Sequence, residues 1–257
     1  MHTIVLATQK GGSGKSTLAI GLALAAKEAG HNVRLIETDP QATLSNWQSR
    51  RGLAEPLVEM MRNAADIEHR LQSLDRGGVT LVIIDTAGGV GAATTAAIRH
   101  SDLCLIPARP SVADIEASAA TLATVRAWRK PFAFVLNQTP IRGSRIDNAA
   151  TSLGNEAARD LADVLAKPFI AMRNDHQDAL AAGLAVGEYA PTSKSADEIR
   201  LLWQWVETRL NADAAVAVEH CSQTERFPVM LAEVRTEIPT HPLPAFSDSG
   251  SAWDACL

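Results

Sequence analysis

The sequence predicts an α/β fold: a doubly wound, mainly parallel sheet with helices on both faces. Three observations predict it. Apolar, strand-like runs alternate with helix-patterned segments from residue 2 to about residue 210. Such alternation marks βαβ units, whose crossovers make neighbouring strands parallel. The run Val79-Thr80-Leu81-Val82-Ile83-Ile84 is apolar almost without a break, as a strand covered on both faces should be. Finally, Lys10-Gly11-Gly12-Ser13-Gly14-Lys15-Ser16-Thr17 lies between an apolar run and an Ala- and Leu-rich segment free of Pro. Strand, Gly-rich turn and helix together form the setting of a phosphate-binding loop.

In chain order, residues 2–7 read as the first strand and 18–29 as the helix after the loop. Gly30-His31-Asn32 stops that helix, and Val33-Arg34-Leu35-Ile36 is a second strand ending at Glu37-Thr38-Asp39-Pro40-Gln41. Residues 43–51 read as a short helix and 66–74 as another; 55–61 fit either type. Strand 79–85 ends on Asp85, followed by a loop with Gly88, Gly89 and Gly91. Helix 92–100 and strand 103–107 follow. Ser111-x-x-Asp114 is an N-cap signature opening a helix with Ile115, Ala119, Leu122 and Val125 on one face. Strand 132–136 ends at Asn137-Gln138. Helix 143–165, a short last strand at Pro168-Phe169-Ile170 and helix 172–184 come next, then a turn at 187–191. Ser195-x-x-Glu198 reads as a capping box for a helix to Leu210, with Leu201, Leu202, Trp205 and Leu210 on its apolar face. The reading divides the chain into a domain of residues 1–210 and a C-terminal extension, 211–257, in which Pro228, Pro239, Pro242, Pro244 and a Ser-rich stretch signal loose attachment.

Composition narrows the classes. At 257 residues and 46% hydrophobic content, the chain has ample length for one large α/β core. The 24 basic and 29 acidic residues give a net charge of −5, so any nucleic-acid contact must come from a local patch. Cys104, Cys221 and Cys256 are far apart, which fits a reducing compartment; the seven histidines lack metal-ligand spacing. The charge-poor start runs straight into the first strand, so no signal peptide is expected, and no apolar run approaches membrane-spanning length. A cytoplasmic protein is the expectation.

The physics of the loop can be stated from its residues. Gly11, Gly12 and Gly14 let consecutive N–H groups turn inward around an anion. The helix beginning near Lys15 adds the positive end of its dipole. Lys15 would reach the β- and γ-phosphates of a nucleotide, and Ser16 would place its hydroxyl on Mg²⁺; Ser13 and Thr17 complete the cradle. One departure stands out: Gln9 occupies the place where the usual pattern has its opening Gly.

The segment from Lys10 to Thr17 resembles the deviant Walker A motif of the ParA/MinD family of ATPases. The resemblance covers residues 2 to about 210 and rests on this loop, the segment at Asp39 and Asp85. It implies that Lys10 reaches across a two-fold interface to the phosphates bound by a second copy; by itself Lys10 is also readable as a solvated cation. Glu37-Thr38-Asp39-Pro40-Gln41 is similar to the family's Asp-x-Asp-Pro-Gln switch, with Glu37 in place of the first acid. Asp39 then corresponds to the acid linked to the attacking water; a turn former is its plainer reading. Asp85 looks like the Walker B acid, positioned to hold Mg²⁺. Asn137 corresponds to a residue contacting adenine, or else is a turn-capping Asn.

What this implies is an ATPase, converting ATP to ADP, that dimerises on ATP and separates after hydrolysis. A small ParA-type partition protein is the expected role, nucleoid-associated in a bacterial cytoplasm. Its partners would be duplex DNA bound without sequence preference and a ParB-like centromere-binding adaptor. Candidate DNA contacts are Arg126, Arg129, Lys130, Arg142, Arg145 and Arg173, each equally readable as part of a solvated helix face. No basic amphipathic helix occurs in the tail, which weakens a membrane-bound reading. Two other readings stay open: a same-fold ATPase positioning a non-DNA protein cargo, and a metabolic P-loop amidotransferase or synthetase.

Overall fold

Six strands, all parallel, make one sheet in the order β3-β2-β4-β1-β5-β6. The computed structural model describes residues 1–157 and 164–224. The strands are β1 (His2–Leu6), β2 (Val33–Glu37), β3 (Leu57–Met60), β4 (Leu81–Asp85), β5 (Leu103–Ala108) and β6 (Phe132–Leu136). The helices are α1 (Lys15–Glu28), α2 (Thr43–Arg51), α3 (Asp66–Arg76), α4 (Ala92–Arg99), α5 (Val112–Ala127), α6 (Ser144–Ala157), α7 (Asp175–Ala181), α8 (Val186–Tyr189) and α9 (Lys194–Thr224). A compact unit spans Met1–Val216. Of the expected extension 211–257, residues 211–224 continue α9, and the remainder, with Pro228, Pro239, Pro242 and Pro244, lies outside the described residues.

Period-two alternation along the strands fills two cores. Ile4, Leu6, Leu35, Leu81 and Ile83 face one side, against α1, α2 and the α7–α9 segment. Val5, Ile36, Val82 and Ile84 face the other, against α3, α4, α5 and α6. Burial on both faces is why these strands read as continuous apolar runs. Register fixes where the loops emerge: Leu6 pairs with Asp85 and Asp85 with Glu37. The C-terminal tips of β1, β4 and β2 therefore lie side by side, and in open α/β sheets that edge is where ligands bind.

Four local expectations differ from the structure. Residues 55–61, which fit either type, are not among them: Leu57–Met60 form the edge strand β3. Pro168-Phe169-Ile170 forms no strand; single bridges flank it, Phe134 with Leu165 and Thr139 with Ala171, and the Ile170 N–H donates to the Leu136 carbonyl at 2.9 Å. Pro168 lacks the N–H a ladder needs. The capping box is not formed. The Ser195 hydroxyl donates to Asp175 at 2.8 Å, and Glu198 accepts from the Ala171 N–H and from Arg173. Ser193 caps α9 instead, accepting from the Ala196 N–H at 3.1 Å. Tertiary partners outcompete the local motif here. Finally, Leu201 is 50% exposed, and the buried stripe of α9 runs through Ile199, Leu202, Trp203, Val206 and Leu210. In α5 likewise, Leu122 and Val125 are buried whereas Ala119 is exposed.

Helix α2 is clamped to the α7–α8 segment. Trp47 Nε1 donates to the Leu184 carbonyl at 3.2 Å, and Arg51 makes a two-pronged ion pair with Glu188, with Nη1 at 2.6 Å from Oε2. Gly183 permits this approach: its φ is +71°, and a Cβ there would fall 2.6 Å from the Arg50 carbonyl carbon. Gly183→Ala is expected to cost about 2–4 kcal/mol, from positive φ plus overpacking. Thermal unfolding should shift down by roughly 5–10 °C; an unchanged midpoint would show that α2 and this segment are not held so closely.

Candidate functional site

The phosphate loop runs from the tip of β1 into α1. Gly14 is the N-cap residue at φ +88°, and Gly12 has φ +75°. A Cβ on Gly14 would sit 2.3 Å from Asn137 Nδ2, so glycine is required there twice over, for conformation and for space. α1 carries no acid in its first turn, leaving the positive end of its dipole uncompensated. Gln9, Gly11, Gly12, Gly14, Lys15, Ser16 and Thr17 line a cleft of about 540 Å³ together with Asp39, Gln41, Thr43, Ala87 and Gly88. The departure at Gln9 leaves the cradle intact, because Gly12 and Gly14 supply the left-handed backbone positions.

At the floor of this cleft Ser16 Oγ donates to Asp85 Oδ2 at 2.6 Å. Asp85 is fully buried. Burial pushes its carboxyl up from 3.8 to about 7, while the Ser16 hydrogen bond and the Lys15 charge pull the other way. Lys15, also buried, is itself held below its ordinary value by burial, against the opposing charges of Asp85 and Asp39. Asp85 Oδ1 is buried without a hydrogen-bond partner. A hydroxyl and a carboxylate with an unused buried oxygen form a hard-oxygen donor pair that fits Mg²⁺.

The segment after β2 shows a device the sequence did not disclose. Glu37 is buried and its carboxylate accepts from the Leu44 N–H at 2.7 Å, the Ser45 N–H at 3.0 Å and the Ser45 hydroxyl at 2.6 Å. It caps α2 from outside the helix, where the N-cap residue, Ala42, has no capping side chain. The distance in sequence, seven residues from Leu44, hid the cap. Asp39 is half-buried and lines the cleft; its Oδ1 also accepts from the Gln41 N–H at 2.9 Å. Ala42 follows with φ +56°, a left-handed conformation costly for a residue with a Cβ.

Lys10 Nζ donates to Asp114 Oδ2 at 3.1 Å within the same chain. Arg109 and Ser111 bond the same carboxylate, at 3.0 and 2.5 Å. Lys10 thus reaches the start of α5 and does not line the cleft that Lys15 lines. Asn137 Nδ2 donates to the Ser13 carbonyl at 2.8 Å, and Gln138 Nε2 to the Gly12 carbonyl at 3.0 Å. Both also line a cavity of about 110 Å³, together with Thr17, Leu18, Met172, Arg173, His176 and Leu180, among others.

The six candidate DNA contacts do not form one patch. Arg126, Arg129 and Lys130 lie before β6, and Arg142 and Arg145 after it, at opposite edges of the sheet. Arg126 reaches the carbonyls of Glu156 and Ala157 in α6. Arg173 pairs with Glu198 at 2.7 Å and lines the cavity beside the loop. Arg129, Arg142 and Arg145 are exposed. Among the described residues no helix is long and apolar enough to cross a membrane, and no group of His, Cys, Asp and Glu forms a metal cluster.

Comparison with known proteins agrees with this geometry. The CobQ/CobB/MinD/ParA nucleotide-binding domain family matches residues 4–185. The chain belongs to this family. It is a P-loop ATPase domain of ParA/MinD type, as its loop implies. Protein ParA of Rhizobium radiobacter is 31% identical over 123 residues, which are 48% of this chain and 55% of that protein; the chain thus spans about half the length of that relative. The maintenance of carboxysome distribution protein A of Halothiobacillus neapolitanus is 27% identical over 206 residues, covering 77% of this chain and 92% of that one. In fold, the septum site-determining protein MinD of Pyrococcus horikoshii, complexed with Mg-ADP, superposes with TM-score 0.64 at 17% identity, over 82% of this chain and 98% of that one.

The buried acid gives a test by pH. The Asp85 carboxyl holds its proton more tightly folded than unfolded, so its contribution to stability falls as pH rises from about 4 to about 7 and is flat above. Asp85→Asn removes that cost. Without nucleotide, the unfolding midpoint of Asp85→Asn relative to the parent should climb through this window and level off above it. A difference independent of pH would show that Asp85 ionises as an ordinary acid.

Proposed function

We propose that the chain is an ATP-driven dimerising switch of the ParA type, acting in DNA partition through sequence-independent DNA binding and a ParB-like adaptor. The observation carrying this reading is the second lysine of the loop. Lys10 points out of its own site, toward Asp114, as a residue serving a neighbouring site should. In the proposed dimer it exchanges Asp114 for the phosphates bound by the second copy.

Each residue then has a task. The N–H groups of residues 11–17 and Lys15 hold the phosphates of ATP and offset their charge. Ser16 and Asp85 would hold Mg²⁺, which when bound neutralises charge developing on the phosphate oxygens. Asp39, fixed by the turn at Gln41 and by the Glu37-capped helix behind it, orients the attacking water. Lys10 in trans takes the part an arginine finger plays elsewhere. Most of the acceleration comes from positioning and electrostatics, so the reaction waits on the dimer and, through it, on the adaptor. Nucleoid association in the cytoplasm follows from this role.

The similarity to Protein ParA supports a DNA cargo. A second reading, positioning of a protein cargo, is favoured by the carboxysome-distribution relative, whose match spans nearly its full length. DNA binding separates the two. The acidic whole must bind through local charge, and Arg142 and Arg145, exposed at the edge where the nucleotide site opens, would be doubled by dimerisation. The protein with ATP should bind duplex DNA of any sequence, and the protein with ADP should not. Arg145→Glu should weaken binding equally on all sequences and flatten the slope of log affinity against log salt by about one unit. If the ATP form ignores duplex DNA at low salt, the protein-cargo reading takes its place.

A further inference from the structure

Asn137 and Gln138 lie where β6 ends, and both side chains turn to the backbone of the phosphate loop. Asn137 is 5% exposed. Its Nδ2 donates to the Ser13 carbonyl at 2.8 Å, and its Oδ1 accepts from the Gln138 N–H at 2.9 Å. A donor end on a carbonyl and an acceptor end on an N–H fix the carboxamide orientation without ambiguity. Gln138 has φ +52°, a conformation that costs energy in a residue with a side chain. In that conformation its Nε2 reaches the Gly12 carbonyl at 3.0 Å. Two consecutive residues thus bind the carbonyls of two successive peptide links of the loop, Gly12–Ser13 and Ser13–Gly14.

We propose that Asn137 and Gln138 are positioning residues for the phosphate loop, and that Asn137 acts on the phosphates through that loop and not by reading the base. The physical argument is one of direction. A peptide unit whose C=O is held outward on one side presents its N–H on the other. Fixing the carbonyls of Gly12 and Ser13 therefore aims the N–H groups of Ser13 and Gly14 away from β6, toward the cleft lined by Lys15 and Ser16. The two glycines at positive φ would otherwise leave this stretch free to turn over. The anchors remove that freedom before any ligand arrives, which is preorganisation. Strain at Gln138 at a point of contact with the loop is consistent with a conformation kept for this purpose. The adjoining cavity, left to accept the base, is walled by Asn137 and Gln138 themselves together with Met172, Arg173, His176 and Leu180, but both ends of the Asn137 carboxamide are already engaged, by the Ser13 carbonyl and the Gln138 N–H.

The proposal rests on the nucleotide reading of the site, which ATP binding by the parent tests by itself. Affinities of the full chain for Mg-tripolyphosphate, ATP and ITP would be measured by calorimetry for the parent, Asn137→Ala and Gln138→Ala. Tripolyphosphate has no base, and ITP differs from ATP at the base edge. Asn137→Ala should weaken tripolyphosphate and ATP by the same factor, about tenfold, the equivalent of one buried hydrogen bond, and leave the ATP-to-ITP ratio unchanged. Gln138→Ala, at a less buried position, should act the same way to a smaller extent, and it decides the matter if Asn137→Ala does not fold. Tripolyphosphate affinity at the parent level, or an ATP-to-ITP ratio falling toward one, would overturn the proposal and restore Asn137 as a base contact. A parent that binds tripolyphosphate but not ATP would instead refute the nucleotide reading while leaving the loop anchors testable.

Discussion

The hydrogen bond from Ser16 to Asp85 joins the first turn of α1 to the tip of β4, and the rest of the site depends on it. It puts a hydroxyl and a buried carboxyl 2.6 Å apart at the base of the phosphate cleft. Neither Asp85 nor Lys15 is comfortable there. Burial raises the acid and lowers the amine, and each partly relieves the other. A pair of opposed, buried groups is poor support for a fold on its own terms. It is well suited to a site whose charge balance is completed by a polyanion and a hard cation. Parallel register makes the arrangement possible by setting Leu6, Asp85 and Glu37 in one row.

From that row the switch segment is held at both ends. Glu37 fastens the N-terminus of α2 from within the sheet, and the Arg51–Glu188 pair with the Trp47 hydrogen bond fastens its other half to the α7–α8 segment. Between sheet and helix, residues 38–42 carry Asp39 and end in the left-handed Ala42. A short strained loop between two fixed supports has few conformations open to it. That is a physical basis for the switch role proposed for Asp39.

The sequence made legible whatever depends on local pattern. The alternation of strands and helices, the phosphate loop, and the acids at the tips of β2 and β4 stand where periodicity and turn chemistry put them, and the family match agrees with the resemblance carried by the loop. Long-range contacts were illegible. Glu37 read as a substituted switch acid, because nothing in the sequence links it to a helix end seven residues away. Ser195 and Glu198 matched a capping motif but are bound to Asp175 and to the Ala171–Arg173 segment. Asn137 and Gln138 lie more than 120 residues from the loop they hold. Basic residues spread over residues 126–173 could not be sorted into patches until the sheet showed which edge each occupies.

Lys10 is the point on which mechanism turns. In a single chain it belongs to Asp114; in the proposed dimer it completes a site in another copy. Mixing two inactive variants measures this directly. Lys10→Ala lacks the crossing lysine, and Asp39→Ala lacks the acid that orients water. In a mixed dimer, the site of the Lys10→Ala subunit keeps Asp39 and receives Lys10 from its partner, so it is whole. ATP turnover of an equimolar mixture should rise well above either variant alone, toward about a quarter of the parent rate, because half the dimers are mixed and each of those holds one complete site of its two. Turnover no greater than the mean of the two separate variants would contradict the exchange of Lys10 between sites and confine it to its own chain.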